Sequence, residues 1–486
     1  MKNKLLLFIL SCFLSLSLKA QLFSHHNVAS QLSQPKETAV ADIDGDGNLD
    51  IVVPEFSSST ITVLYGTGDI SNYTKVTYPL VNPSLNIDEK PWAVVVMDID
   101  GDSNKDIIYS NYANSGSTTD GVYWIQNTGN RNFGSSQLIR LFPRCRHISK
   151  ANLDADPEDE LIVAGDNDGI NNLQALNLTQ TGGYSSSVLT SVNGTYKRPL
   201  HVSHGDLNGD GNLDFVVSAF GNNAVFEGFI VRLAPNYASN FSLSDPFNNL
   251  TSGPRQTDLM DFDEDGDLDV VSVDYYGGKS SIVAYQITPS PFASAFYFQL
   301  FETNNSRGIV SVTAGDFDND GVGDFIVADI VTDRILFYEN TATDNVPAAS
   351  INFNPFVNIS TSVIDPTWVI SEDLDADGDL DVIVSNNNGG TANQGFISVL
   401  ENNAATLSTD EIEVERISTI TSDTDVTILG MPSTVTNGSL YDINGRLVRK
   451  GILNTQHNHF SIDGLQPGIY ILKLSTLNTS FKIVKQ

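Results

Sequence analysis

The chain has 486 residues, with 59 Asp and Glu against 26 Lys and Arg, and a formal charge of -33. A field of that sign argues against nucleic acid as a partner. The length suits one large domain and one small one, and nothing beyond the first twenty residues is apolar for long enough to span a bilayer.

Residues 1–20, "MKNKLLLFILSCFLSLSLKA", place Lys2 and Lys4 before an apolar run that closes on Leu18-Lys19-Ala20. This predicts a secretory signal peptide cut after Ala20. The mature chain then keeps one cysteine, Cys145, which has no partner for an internal disulfide. A protein that works outside the cytoplasm needs some other brace.

A nine-residue unit follows, seen first as "DIDGDGNLD" (42–50) and last as "DLDADGDLD" (373–381). Seven copies begin at Asp42, Asp98, Asn152, Asp206, Asp261, Asp316 and Asp373, spaced 54 to 57 residues apart. Such phasing marks one supersecondary unit used seven times. Each period carries short runs rich in Val, Ile, Phe and Tyr, such as "WAVVVMD" (92–98), "DIIYSNY" (106–112), "GVYWIQNTG" (121–129) and "SQLIRLF" (136–142). They end in Gly, Asn or Asp and read as strands. Four strands per period predict an all-β fold, a seven-bladed β-propeller over 21–407, with a linear solenoid as the alternative. The seventh period shows three strands. Its fourth comes either from "QLFSHHNVAS" (21–30) or from "EIEVERIS" (411–418), and the sequence does not choose.

Alternate residues of a tightly curled loop face one centre. In the first copy Asp42, Asp44 and Asp46 hold positions 1, 3 and 5, Asn48 offers its carbonyl at 7, and Asp50 closes the shell at 9. Glycine at 6 permits the turn. The second copy has Asp98, Asp100, Asp102, Asn104 and Asp106, with Ser103 in the glycine's place. The third is eroded to Asn152, Asp154, Asp156, Glu158 and Glu160, with Pro157 at the turn. The fourth has Asp206, Asn208, Asp210, Asn212 and Asp214. The fifth has Asp261, Asp263, Asp265, Asp267 and Asp269. The sixth has Asp316, Asp318, Asp320, Val322 and Asp324, and the seventh Asp373, Asp375, Asp377, Asp379 and Asp381. Hard oxygens in this number suit Ca2+ better than Mg2+, and the sulfur or clustered imidazole that zinc prefers is missing. The expectation is up to seven calcium ions, with the loop at 152–160 the weakest. The start resembles an EF-hand loop, but position 12 holds Val53, Tyr109, Val163, Val217, Ser272, Val327 and Val384 rather than glutamate, and a strand leaves it. A helix-opening calcium sensor is thereby excluded.

The seven phased loops resemble the FG-GAP/VCBS family, whose calcium-loop blades also build the integrin α-chain propeller. The resemblance covers residues 30 to about 403 and implies calcium at the loops. It also implies a role in adhesion, ligand binding or carbohydrate binding, although some enzymes carry such propellers. From about 408 the period breaks. "YDINGRLV" (441–448), "GLQPGIYILKL" (464–474) and "KIVKQ" (482–486) resemble the type A sorting domain of the type IX (Por) secretion system. The Asn-Pro pair that usually opens that domain is absent near "ISTITSD" (417–423). The resemblance implies a small β-sandwich over 408–486, export by the type IX machinery, removal of this domain, and release or attachment at the outer-membrane cell surface.

Catalytic signals are sparse. His201 and His204 stand three apart on a strand, hence on opposite faces. Cys145 has Arg144, Arg146 and His147 as neighbours, which could lower its pKa. Trp92, Tyr123, Trp124, Tyr275, Tyr276 and Trp368 are aromatic candidates for stacking on a sugar or anchoring a protein. The expected function is a calcium-stabilised binding or adhesion protein for an extracellular glycan or protein. A polysaccharide-active enzyme, a lyase, is the alternative.

Overall fold

The computed structural model describes residues 22–81, 89–112, 119–153, 159–165, 173–179, 183–187, 198–219, 228–234, 240–244, 254–264, 266–276, 279–286, 296–304, 308–341, 353–390, 393–404, 418–421, 424–429, 436–443, 446–453, 458–474 and 479–485. These residues are almost wholly strand, with one short 3-10 turn at Asn388–Gly390. None of the described helices is long and apolar enough to cross a membrane. The chain divides into two compact units, one ending at Ala405 and one starting at Thr406.

The first unit is a β-propeller. Its described residues form seven four-stranded antiparallel sheets, each built from consecutive strands except the last. Sheet 2 shows the plan: Pro91–Met97 runs into the nine-residue loop at 98–106, Asp106–Asn111 leaves it, and Gly121–Ile125 and Gln137–Leu141 complete the meander. The two central strands of this sheet are buried along their whole length, while Gln137–Leu141 is largely exposed. That gradient is why the central runs read as unbroken Val, Ile and Tyr and the fourth run is looser in sequence. The buried groups between sheets are apolar: Ile43, Val52, Tyr65, Val94, Ile107 and Tyr109 form one cluster spanning sheets 1 and 2.

Sheet 7 settles the choice left by the sequence. Phe23–Leu32 pairs antiparallel with Gly395–Asn402, from Phe23 opposite Asn402 to Leu32 opposite Gly395. The N-terminal segment therefore supplies the outer strand; residues 411–417, most of the competing segment, lie outside the described residues. Ala29 and Leu32 join Ile51, Leu64, Ile383 and Ile397 in a cluster that bridges sheets 7 and 1.

The first and second strands of neighbouring sheets, with the residues leading into them, touch through polar groups at every junction. Glu37 N donates to Trp92 O at 3.0 Å and Ser110 Oγ to Arg146 O at 3.0 Å. The His147 and His201 rings lie 4.2 Å apart, and Ser203 Oγ donates to Thr257 O at 2.8 Å. Gln256 Nε2 donates to Val312 O at 2.9 Å, Val369 N to Ser311 Oγ at 2.9 Å, and Ser385 Oγ to Lys36 O at 2.9 Å. The last of these returns from sheet 7 to the residues that lead into sheet 1.

The second unit packs a three-stranded sheet (Ser418–Thr421, Asp425–Leu429, His459–Ser461) with a four-stranded one (Leu447–Leu453, Thr436–Asp442, Gly468–Leu474, Thr479–Lys485). Val426, Ile428, Leu440, Phe460, Leu472 and Ile483 form its core.

Candidate functional site

Each nine-residue loop joins the first strand of a sheet to the second, and the same bonds shape it every time. The position 2 N–H donates to the position 9 carboxylate in all seven copies: Ile43 to Asp50 (2.8 Å), Ile99 to Asp106 (3.1 Å), Leu153 to Glu160 (2.7 Å), Leu207 to Asp214 (3.2 Å), Phe262 to Asp269 (3.1 Å), Phe317 to Asp324 (3.2 Å) and Leu374 to Asp381 (2.9 Å). The eroded third copy keeps this bond because glutamate preserves the acceptor. The other oxygen of position 9 accepts from the end of the third strand, as from Gly66 N (2.8 Å), Asn127 N (2.7 Å) and Asn402 N (2.8 Å). Position 1 gathers the turn: Asp42 accepts from Gly45, Asp46 and Gly47 N–H groups at 2.8 to 3.1 Å. The turn needs two left-handed residues, at positions 4 and 6. Gly47, Gly211, Gly266, Gly321 and Gly378 take the second, with φ between 85° and 97°, and Ser103 takes it at 74°.

This geometry brings the sequence-predicted acids together in a particular way. In four loops positions 1, 3 and 9 converge, with one ligand atom from each within 4.8 Å of the others: Asp42, Asp44 and Asp50; Asp98, Asp100 and Asp106; Asp261, Asp263 and Asp269; Asp373, Asp375 and Asp381. In the sixth it is Asp316, Asp318 and Asp320, positions 1, 3 and 5. Position 5 also bonds the chain in the sixth loop and in four others: Asp46, Asp102, Asp210, Asp320 and Asp377 each accept from the position 7 N–H, at 2.8 to 3.1 Å. The fourth loop has Asn208 at position 3, so it offers a neutral amide oxygen where the other five have a carboxylate. Asp154, Asp156, Glu158 and Asp265 lie outside the described residues.

Crowded carboxylates in a partly dry site resist ionisation. Burial, then neighbouring acids working against two backbone donors, raise Asp50 to about 6, Asp106 to about 7 and Asp381 to about 8. Asp324 rises to about 9, through burial first and then Asp318. One oxygen of Asp261, Oδ1, is buried without a hydrogen-bond partner. Hard oxygen donors, close together and partly unsatisfied, fit a divalent cation of the calcium type. The first loop also meets a protein cation: Arg131 Nε lies 2.6 Å from Asp44 Oδ2, with its guanidinium 4.1 Å from the centre of the Tyr65 ring.

Three asparagines that the repeat reading missed clip neighbouring loops together. Asn127 Nδ2 donates to Ile43 O and Lys105 O, both at 2.9 Å. Asn340 donates to Phe262 O (2.7 Å) and Gly323 O (3.1 Å), and Asn402 to Phe317 O (2.8 Å) and Leu380 O (3.2 Å). Each joins its own loop to the loop of the preceding sheet. The signal was present as "QN", "EN" and "EN" at the end of the third strands.

At the other end of the first strands lies an axial cavity of about 240 Å3. A second phase in the sequence builds it. Seven residues before each loop start stand Pro35, Pro91, Cys145, Pro199, Pro254, Ile309 and Pro366. In six sheets the register slips directly after this position, a bulge that re-aims the next side chain. The residues at this next position, Lys36, Trp92, Arg146, Leu200, Arg255, Val310 and Thr367, all line the cavity.

The chemical candidates sort accordingly. Trp92 and Trp368 line the cavity; Tyr123 and Trp124 are buried between sheets. The side chains of Tyr275 and Tyr276 lie outside the described residues. His201 faces the cavity and His147, whereas His204 does not line it. For Cys145 the structural reading of a lone cysteine at a strand start holds, and a pKa lowered by its neighbours does not. Its side chain is fully buried, and burial, then the charges of Asp120 and Glu37, push the thiol well up, because the arginine charges go elsewhere. Arg144 bonds the Tyr112 hydroxyl and Arg146 lies over Trp92.

Residues 42–109 and 261–327 match the FG-GAP-like repeat, and residues 416–486 match the secretion system C-terminal sorting domain. The chain carries two FG-GAP-like repeats and, at its C-terminus, a type IX sorting domain. Each FG-GAP match starts at the nine-residue loop of sheet 1 or 5, covers the last three strands of that sheet and the first strand and loop of the next, and ends in the strand that leaves that second loop. Two solved structures of BBS1N in complex with ARL6DN, one soaked with mercury and one with lead, align at 11% and 10% identity. The TM-scores are 0.46 and 0.45, over 78% of this chain and 97% of theirs. No curated protein matches. The FG-GAP repeats and the tail make this a β-propeller protein directed to secretion or the cell surface, with the sorting domain as its contact to the type IX system.

Proposed function

We propose that this protein is a calcium-stabilised propeller, residues 21–407, that binds an extracellular glycan or protein once its sorting domain, 408–486, is removed. One observation supports the calcium reading above others: five loops each bring three carboxylates within 4.8 Å. Calcium bound only by the folded chain stabilises it by mass action, about 2.7 kcal/mol per site at a hundredfold excess over Kd. It supplies the brace that a chain with one mature cysteine lacks. The residues that would hold it are positions 1, 3 and 9 of the first, second, fifth and seventh loops, and positions 1, 3 and 5 of the sixth. Because each of the five loops is also fixed by a backbone bond to position 9 and a buried position 2 side chain, the ion acts on a prebuilt shape. Binding rather than catalysis is supported by where the acids are. The clustered carboxylates serve the loops, whereas the axial cavity is lined by cations and indoles.

The test is metal content of the purified chain and its melting curve before and after chelation. Five or more calcium ions, with a large fall in melting temperature in chelator, supports the reading. One ion or none, with an unchanged melt, removes it. A glycan and protein array in calcium then tests binding, with retention of a ligand as the expected result.

A further inference from the structure

The first nine-residue loop already has a cation. Arg131 lies in the turn that joins the third and fourth strands of sheet 2, and its side chain reaches the loop of sheet 1. Its Nε stands 2.6 Å from Asp44 Oδ2 and its Nη2 3.6 Å from Asp46 Oδ2, positions 3 and 5 of that loop. The guanidinium also covers the face of Tyr65, 4.1 Å from the ring centre. Charge pairing on one side and an aromatic face on the other fix the planar head in one place.

The turn is anchored to sheet 1 so as to hold it there. Asn127 Nδ2 ties the start of the turn to Ile43 O at 2.9 Å. Tyr78 OH donates to Arg131 O at 2.7 Å and lies 2.9 Å from Tyr65 OH, so two tyrosines of sheet 1 hold the main chain and the head of the same residue. Phe133 packs its ring on Tyr78, with centroids 4.7 Å apart. Asn130 and Arg131 both take left-handed backbone, with φ of 54° and 61°. Two such residues in a row, neither of them glycine, persist where the surroundings over-determine them. The contacts with Ile43, Tyr65 and Tyr78 do so here.

The second loop is the contrast. Its acids at positions 1, 3 and 9 converge as those of the first do. Yet Asp100, its position 3 acid, accepts from Gln126 Nε2 at 2.6 Å, an amide without charge. Asp44 instead meets a full positive charge on one oxygen, while the other accepts from Asp46 N at 3.2 Å. A second cation brought to the same carboxylate is repelled by the first.

We propose that Arg131 is the resident cation of the first loop: it neutralises Asp44 and Asp46 when no metal is there, and calcium enters this loop only in competition with it. The first loop then keeps its shape without metal, and it fills at a higher calcium concentration than the second. This rests on the calcium reading above and gives it an order of filling.

The experiment is calorimetric calcium titration of the full chain and its variants, with melting curves in chelator. Arg131→Gln should tighten one site by roughly tenfold or more and leave the number of sites unchanged. Arg131→Lys keeps the charge and should not tighten it. In an Asp44→Asn background the gain from Arg131→Gln should fall away, which assigns it to the first loop. In chelator, Arg131→Gln should melt below the wild type, because Asp44 and Asp46 lose their counter-charge. Gln126→Arg, which brings a charge to Asp100, should weaken one site by a similar factor, and it keeps the test open if Arg131→Gln folds poorly. Affinities untouched by both Arg131→Gln and Gln126→Arg overturn the proposal. So does a site weakened by Arg131→Gln, since the arginine would then hold Asp44 for the metal rather than oppose it. The two readings fail separately. Calcium bound without a response to either variant removes this inference alone, whereas a chain that binds no calcium in any form removes the calcium reading and this one with it.

Discussion

Replacing Asn402 by alanine tests whether the interloop clips carry stability. Asn402 is 1% exposed, and its amide donates to Phe317 O at 2.8 Å and Leu380 O at 3.2 Å. Its side-chain oxygen accepts from Ala404 N at 3.2 Å. The backbone bond from Asn402 N to Asp381 survives the change. Truncation therefore removes three side-chain bonds. A net bond is worth about 1 kcal/mol, and a buried carbonyl left without its donor costs more, so the loss should be about 2–4 kcal/mol. Asn402→Asp should be worse than alanine, because a carboxylate can only accept and would face two carbonyls and Asp381. The assay is urea unfolding of the calcium-loaded chain, with the midpoint read at constant m. Asn132→Ala, whose amide bonds are exposed, is the control and should shift the midpoint little. A cost of Asn402→Ala below about 0.5 kcal/mol, or an aspartate variant more stable than the alanine one, would show that the clips are incidental to packing.

Asp258 sits half-buried between two sheets, accepting from Leu259 N and Ala314 N, each at 2.9 Å, and desolvation raises it to about 6. A raised carboxyl contributes stability below its unfolded pKa near 3.8 and loses it as pH climbs through 6. Asp258→Asn should therefore gain on the wild type by roughly 2 kcal/mol between pH 4 and pH 7.5, read from urea midpoints at both; a difference constant with pH refutes this. The Cys145 thiol should stay unlabelled by a thiol reagent in the native chain and react at once in denaturant; rapid native labelling would contradict its burial. Deleting residues 22–32 should leave a chain that exposes apolar surface to a dye and elutes as aggregate, because Ile397, Val399 and Leu400 lose their cover; a monomeric, cooperatively melting product would mean another segment closes sheet 7.

The repeat was legible because nine residues in tight register must solve one turn problem seven times, and that leaves Asp and Gly at fixed spacing. Strands were legible wherever two faces are buried, as in "DIIYSN" and "DFIVAD". What did not show was anything defined across sheets. The partner of Gly395–Asn402 lies about 370 residues away, and two segments of similar character competed for it. Asn127, Asn340 and Asn402 looked like ordinary strand-end residues because their acceptors belong to a neighbouring loop. Ninth-position acids were read as ligands alone, yet each also holds the loop by a backbone bond, which explains why Glu160 persists in the eroded copy. The cavity was hidden for a different reason. Its phase lies in the bulge before the strand, and its residues share a location but no residue type.

Sheet 7 joins the beginning of the propeller to its end, with Phe23 opposite Asn402. No partial chain can make that pairing. Until residue 402 arrives, the first strand has no partner, and the growing stack keeps a raw edge at each side, open to other chains. Pairing over such a sequence distance is slow even when both strands are present. A chain carried across a membrane from its N-terminus is thus held unassembled by its own topology until the last repeat has passed. The join that makes the ring durable also times when it may form.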